Sequence, residues 1–189
     1  MAKVYLIRHG HPAATWGGVD DDPGLDDTGK AQAEDVAKTL MALPEADRPT
    51  HVVSSPLRRC LETAQPYAKA IGVEIEIDPA VGEIPTPKSL APSERSGWLR
   101  KAFAGAWAEI EGDLDYETWR RAVTAAVAGR ANTAIFSHFV AINAVLSHIG
   151  GDDRVIGFRP DHCSLTILDI GDDGLNLMER GREASTGVL

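Results

Sequence analysis

"YLIRHGHP", residues 5–12, changes character halfway along. Val4, Tyr5, Leu6 and Ile7 have the β-branched and aromatic make-up of a buried strand. Arg8, His9, Gly10 and His11 then stand where such a strand would end. In open α/β sheets the carboxyl ends of strands are where ligands bind. Taken alone, the stretch fits a polar surface turn equally well, so the rest of the chain has to decide.

Working outward, strand-like runs recur at 51–54, 73–77, 133–136, 163–170 and 175–179, and helical periodicity fills most of the gaps. Ala33, Val36, Ala37 and Leu40 mark an amphipathic helix over 28–43, with Asp26 or Asp27 as its cap. Leu57, Leu61, Ala64, Ala68 and Ile71 stripe a second helix. Ser55 is its expected N-cap, Pro56 its first residue, and Pro66 is expected to kink or interrupt it. Further helices are expected near 94–110, 115–129 and 139–149. The "GDDG" at 171–174 reads as the turn of a final hairpin. Strands alternating with helices predict an α/β protein. The expectation is a three-layer α/β/α sandwich with a mostly parallel mixed sheet, in one domain over residues 1–189. Residues 79–100 carry four prolines without periodicity and read as a long functional loop.

Three strand-to-helix junctions decide the chemistry. The first delivers Arg8 and His9, the second "SSPLRR" with Arg58 and Arg59, and the strand at 133–136 delivers Ser137 and His138. Guanidinium forks match phosphate oxygens in pairs, and helix N-termini favour anions at the same edge. This is the outline of a phosphate site.

The segments "LIRHG", "LDDTGKAQA", "SSPLRRCLETA" and "IFSHFVAIN", in this order, resemble the histidine phosphatase superfamily, the phosphoglycerate mutase-like family. The resemblance spans roughly residues 3–170 and implies that family's fold. It also implies roles. His9 would be the nucleophile that becomes phosphohistidine. Arg8 and Arg59 would bind the phosphoryl oxygens. His138 would be a second pocket histidine that, protonated, stabilises the phosphoryl charge. Glu83, in "AVGEIP", stands where the family places its proton-transferring carboxylate. Arg58 falls at a variable position and reads as a rim charge. Glu94, Glu109 and Glu111 are rivals to Glu83 that read as solvated helix faces. His51 and His148 read as residues without chemistry. His162 could reach the pocket, but a structural role is favoured. The chain departs from the family at His11, where Glu or Gln is usual. It departs again at Phe139 and Asn143, the latter standing in place of an arginine.

The expected activity is hydrolysis of a phosphomonoester through phosphohistidine on His9. The alternatives are a cofactor-dependent phosphoglycerate mutase-type phosphotransferase and a non-catalytic phosphate-binding protein of the same fold. No clear counterpart of the basic insertion that mutases use appears between 84 and 130, which favours hydrolysis. No metal and no cofactor is called for: the chain has no P-loop, and its Asp clusters, including "DDD" at 20–22, lack metal-ligand spacing. A net charge of −9 argues against nucleic-acid and anionic-membrane partners. The expected partner is a small phosphorylated substrate, with a homodimer as an open assembly. Two cysteines, Cys60 and Cys163, no signal-peptide pattern and no membrane-length apolar run point to the cytoplasm. The tail "GREASTGVL" is expected to be loose.

Overall fold

The computed structural model describes residues 2–14, 20 and 22–185. Residue 21 of the acidic run and residues 186–189 of the tail therefore lie outside the described residues. Strand β1 (Ala2–Arg8) is the segment on which the reading turned. Helix α1 (Asp27–Met41) and β2 (His51–Ser54) follow, then α2 (Arg58–Ile71) and β3 (Ile75–Ile77). Next come α3 (Arg95–Ala104), α4 (Tyr116–Ala128), β4 (Thr133–Ser137) and α5 (Phe139–Ile149). A hairpin of β5 (Leu165–Gly171) and β6 (Gly174–Glu179) ends the fold. Among the described residues no helix is long and apolar enough to cross a membrane.

The sheet order is β3-β2-β4-β1-β5-β6. The first four strands in this order are parallel, β5 pairs antiparallel with β1, and β6 pairs antiparallel with β5. The sheet is mixed, as the terminal hairpin implied. Successive side chains of a strand face opposite ways, and here each face is apolar. Val4 and Leu6 of β1 join Val53, Ile135 and the buried faces of α4 and α5. Tyr5 and Ile7 join Val52, Ala134, Phe136 and the buried faces of α1 and α2. One sheet between two helical layers is the expected α/β/α sandwich.

Several local expectations are corrected. Ser55 is not the N-cap of α2. The helix begins at Arg58, Leu57 holds the cap position without a side-chain cap bond, and the Arg58 amide donates to Asp22 Oδ1 at 2.9 Å. The Ser55 hydroxyl instead serves His138, as described below. Helix α2 runs through Pro66 without a break. Buried Cys60, Thr63 and Ala64 lie before Pro66 and buried Tyr67 and Ala68 after it. Packing on both sides thus outweighs the roughly 3 kcal/mol that an interior proline costs. The helix expected over 94–110 stops at Ala104, and a short 3-10 turn, Trp107–Glu109, follows Gly105.

Candidate active site

The register of the sheet builds the site. Arg8 of β1 pairs with Ser137 of β4, and Ser54 of β2 pairs with Phe136 of β4. The parallel strands thus end level. The residues that follow them, His9, Ser55 and His138, emerge side by side. The backbone amide of His9 donates to Ser137 O at 3.0 Å, and that of Ser55 donates to Phe136 O at 3.0 Å. Gly10 is required at the next position. A Cβ there would lie 2.7 Å from the Gly29 carbonyl oxygen in the first turn of α1. That turn is capped as expected, with Asp26 Oδ1 accepting from the Gly29 amide at 2.7 Å.

Arg59 is the hub. It is 5% exposed, in the first turn of α2. Its Nε donates to His9 Nε2 at 3.3 Å, and its Nη2 donates to His138 Nδ1 at 3.3 Å and lies 4.0 Å from Glu83 Oε2. His9 is 5% exposed, and its Nδ1 lies 2.8 Å from the Gly10 carbonyl oxygen. A carbonyl only accepts, so the proton of a neutral His9 sits on Nδ1 and the lone pair on Nε2 faces Arg59. His138 is fully buried, and its Nε2 lies 2.8 Å from Ser55 Oγ. Because Arg59 can only donate to Nδ1, the His138 proton sits on Nε2 and is donated to Ser55. Arg8 places Nη1 on the Pro160 carbonyl oxygen at 2.9 Å, and its guanidinium stands 5.2 Å from the centre of the Phe139 ring.

Glu83 reaches this cluster from the far side of β2. Asp78 opens the 3-10 turn Pro79–Val81, accepting from the Ala80 amide at 2.9 Å and from Arg130 Nη2 at 2.9 Å. Ser137 Oγ donates to the Val81 carbonyl at 2.7 Å. The chain leaving this pinned turn carries Glu83, whose Oε2 lies 3.5 Å from His138 Nδ1. His9, His138, Arg8, Arg59 and Glu83 are thus brought together. The rivals are not. Glu94 Oε2 accepts from the Ala91 amide, Glu109 Oε2 accepts from the Ala106 amide, and Glu111 pairs with Lys101 on the surface. Arg58 is exposed and pairs with Glu62 at 2.7 Å.

Burial sets the charge states. The His9 pKa falls well below the ordinary imidazole value, first through desolvation and then through His138, Arg59 and Arg8. His138 falls likewise through burial, Arg59 and Arg8. The protonated His138 expected from the sequence is therefore corrected: two guanidiniums and complete burial hold it neutral. Glu83 goes the other way, raised by burial against the pull of Arg59 and Arg8.

The linkage has a definite sign. Unfolded histidines take up protons below about pH 6.5, and these folded ones do not, so stability is lost as pH falls through that value. His162, lowered to about 4, adds to this, while raised Glu83 opposes it. Three imidazoles outweigh one carboxyl. The urea midpoint is expected to drop between pH 7.5 and pH 5.5. An equal or higher midpoint at pH 5.5 would contradict the neutral assignments.

Arg8, His9, Arg59 and Glu83 line a cavity of about 870 Å³, with His138 buried behind them. The segment expected to be a long loop walls it with Ile84, Pro85 and Thr86, and α3 adds Leu99 and Phe103. Phe139 lines it and lies 5.6 Å, centre to centre, from Phe103. Asn143 does not line it. It is buried, donates to the Phe139 carbonyl and accepts from the Gly157 and Phe158 amides, so its role is structural. His51 and His148 are exposed and lie away from the cavity. His162 is the residue that the sequence reading undervalued. It lines the cavity with its ring centre 5.8 Å from that of His9 and 5.1 Å from that of His11. The next residue, Cys163, adopts φ +55°, a conformation no sequence pattern announces.

Residues 4–182 match the family model of the histidine phosphatase superfamily (branch 1), and the chain belongs to that superfamily. Membership supports an enzyme of the phosphatase or mutase type. The chain is 30% identical over 193 residues to a probable phosphoglycerate mutase GpmB of Salmonella paratyphi C, covering 89% of this chain and 85% of that protein. A shorter stretch of 90 residues is 32% identical to the transcription factor tau 55 kDa subunit of Saccharomyces cerevisiae. That match covers 42% of this chain, and the chain spans only 20% of that relative. The fold superposes on a phosphoserine phosphatase from Entamoeba histolytica solved with 3-phosphoglyceric acid. The TM-score is 0.74 at 20% identity, over 96% of this chain and 98% of that one.

Proposed function

We propose that the protein hydrolyses a phosphomonoester through a phosphohistidine intermediate on His9. The observation that carries this reading is the single buried guanidinium of Arg59, in reach of His9, His138 and Glu83 at once. The Nε2 lone pair of His9 forms the N–P bond. The P–O ester bond breaks, and its electron pair goes to the leaving oxygen, which takes the proton of Glu83. Arg8 and Arg59 neutralise the charge spread over the phosphoryl oxygens. Water then attacks phosphorus and gives a proton back to Glu83, and the N–P pair returns to Nε2. Neutral His138 keeps Arg59 aimed at the site. The raised pKa of Glu83 suits an acid that must hold its proton before the first step.

Hydrolysis is preferred to isomerisation because, among the described residues, the cavity lining adds two arginines and no lysine to Arg8 and Arg59, beside apolar Ile84, Pro85, Leu99, Phe103 and Phe139. Arg95 and Arg100 are the arginines beyond Arg8 and Arg59 that line it among the described residues. Cys60 and Cys163 are free thiols, which fits a cytoplasmic setting. The test is a leaving-group series on Glu83→Gln. A phenol with a low pKa leaves with little help, whereas an alkoxide needs a proton in the transition state. The variant is expected to slow alkyl phosphates far more than nitrophenyl phosphate, and to lengthen the lifetime of trapped phosphohistidine. Equal losses across the series, with an unchanged lifetime, would remove Glu83 from the proposal.

A further inference from the structure

His162 stands on a rigid support. Its amide donates to Asp161 Oδ1 at 2.8 Å, and Asp161 Oδ2 accepts from Arg182 Nε at 3.0 Å. The next residue, Cys163, is held at φ +55° with its amide donating to the Arg8 carbonyl at 3.1 Å. A non-glycine residue in the left-handed region costs free energy and persists only where its surroundings enforce it. Behind His162 stands His11, whose Nδ1 lies 2.8 Å from Asp26 Oδ2. Yet neither ring nitrogen of His162 has a hydrogen-bond partner among the described residues, and the ring lines the cavity beside His9. A positioned imidazole with both nitrogens unengaged is built to meet a ligand group.

The chemistry of that group follows from the surroundings. Burial holds His162 neutral, so it offers one donor and one acceptor. The carboxylates whose fields reach it are Asp161 and Asp26, and the guanidinium is that of Arg8. Arg8 is committed to the transferring phosphoryl group in the reading above. A carboxylate on the leaving group would face those two anions at His162, where Arg8 is the one arginine whose field reaches the ring among the described residues. A hydroxyl matches a neutral imidazole in both roles.

We propose that His162 is a specificity-determining residue that hydrogen-bonds an uncharged hydroxyl of the leaving group, so that the preferred substrates are phosphomonoesters of polyols or sugars. The proposal rests on the phosphatase reading, and the experiment separates the two. Phosphate release from the full chain is measured with nitrophenyl phosphate, propyl phosphate, glycerol 1-phosphate and 3-phosphoglycerate. In the unsubstituted protein, kcat/KM for glycerol 1-phosphate is expected to exceed that for propyl phosphate by about tenfold, the worth of one well-formed hydrogen bond. It is also expected to exceed that for 3-phosphoglycerate. In His162→Phe the glycerol-to-propyl ratio falls to about one, and in His162→Gln part of the preference returns. Ratios taken within each variant do not depend on the fraction of active protein, and His162→Ala substitutes if the Phe variant does not fold. A ratio near one in the unsubstituted protein, a preference for 3-phosphoglycerate, or a ratio unchanged in His162→Phe would each overturn the proposal. Failure to release phosphate from any substrate, nitrophenyl phosphate included, would instead end the phosphatase reading, and this inference with it.

Discussion

His9→Ala abolishes phosphohistidine formation and lowers turnover of nitrophenyl phosphate by at least about 10³-fold, the scale on which loss of a nucleophile is felt. No other group in the cavity can substitute. His138 Nε2 is bonded to Ser55, and its Nδ1 faces Arg59 and Glu83. His162 stands 5.8 Å, ring centre to ring centre, from His9, and Arg59 is bonded to His9 and not to His162. The fold survives, because His9 contributes no side chain to either apolar cluster of the core. The measurement is phosphate release alongside circular dichroism and acid-labile phosphate on the protein. Release near that of the unsubstituted protein from a folded His9→Ala variant would refute the nucleophile.

Arg59→Ala lowers turnover on the order of 10²-fold or more, the expected loss for one donor aimed at transition-state charge. The cost has two sources. The phosphoryl oxygens lose a guanidinium, and Glu83 and His138 lose the cation that spaces them. With Arg59 gone, the pull that keeps the Glu83 pKa from rising further is weakened, so the pH profile of the residual activity moves to higher pH. The neighbouring Arg58→Ala change is expected to cost little. Arg58 is exposed, and its Nε pairs with Glu62 in a surface i, i+4 arrangement worth a few tenths of a kcal/mol. Comparing the two variants in one assay tests the register of the first turn of α2. A larger loss in Arg58→Ala would place the clamp one residue earlier.

The parts of this site that depend on short-range pattern were legible. A strand of apolar residues ending in Arg8 and His9, and another ending in Ser137 and His138, need no tertiary information to be read, and α5 begins and ends where its periodicity says. Glu83 was found through a resemblance, because its neighbours Arg59 and His138 are far away in sequence and its loop has no period. What stayed hidden depends on a backbone turn or on burial. Ser55 looked like a helix cap because Ser-Pro usually is one, but its hydroxyl is claimed by His138. Nothing in "PDHCS" announces the left-handed Cys163 or the placement of the preceding imidazole on the cavity wall. The charge of His138 could not be read before its complete burial between two arginines was known.

Strand β1 has β4 on one side and β5 on the other. Its partners are residues 133–137 and 165–170, so β1 waits for more than 120 further residues to be made before it can pair with either neighbour. Until then its two edges of N–H and C=O groups, and the apolar Val4–Ile7 run, stay open to other chains. Contacts so distant along the sequence are slow to close. The segment that carries His9 is therefore among the last to find its place in synthesis, and a chain cut short before residue 133 holds the nucleophile but none of the frame that makes it one.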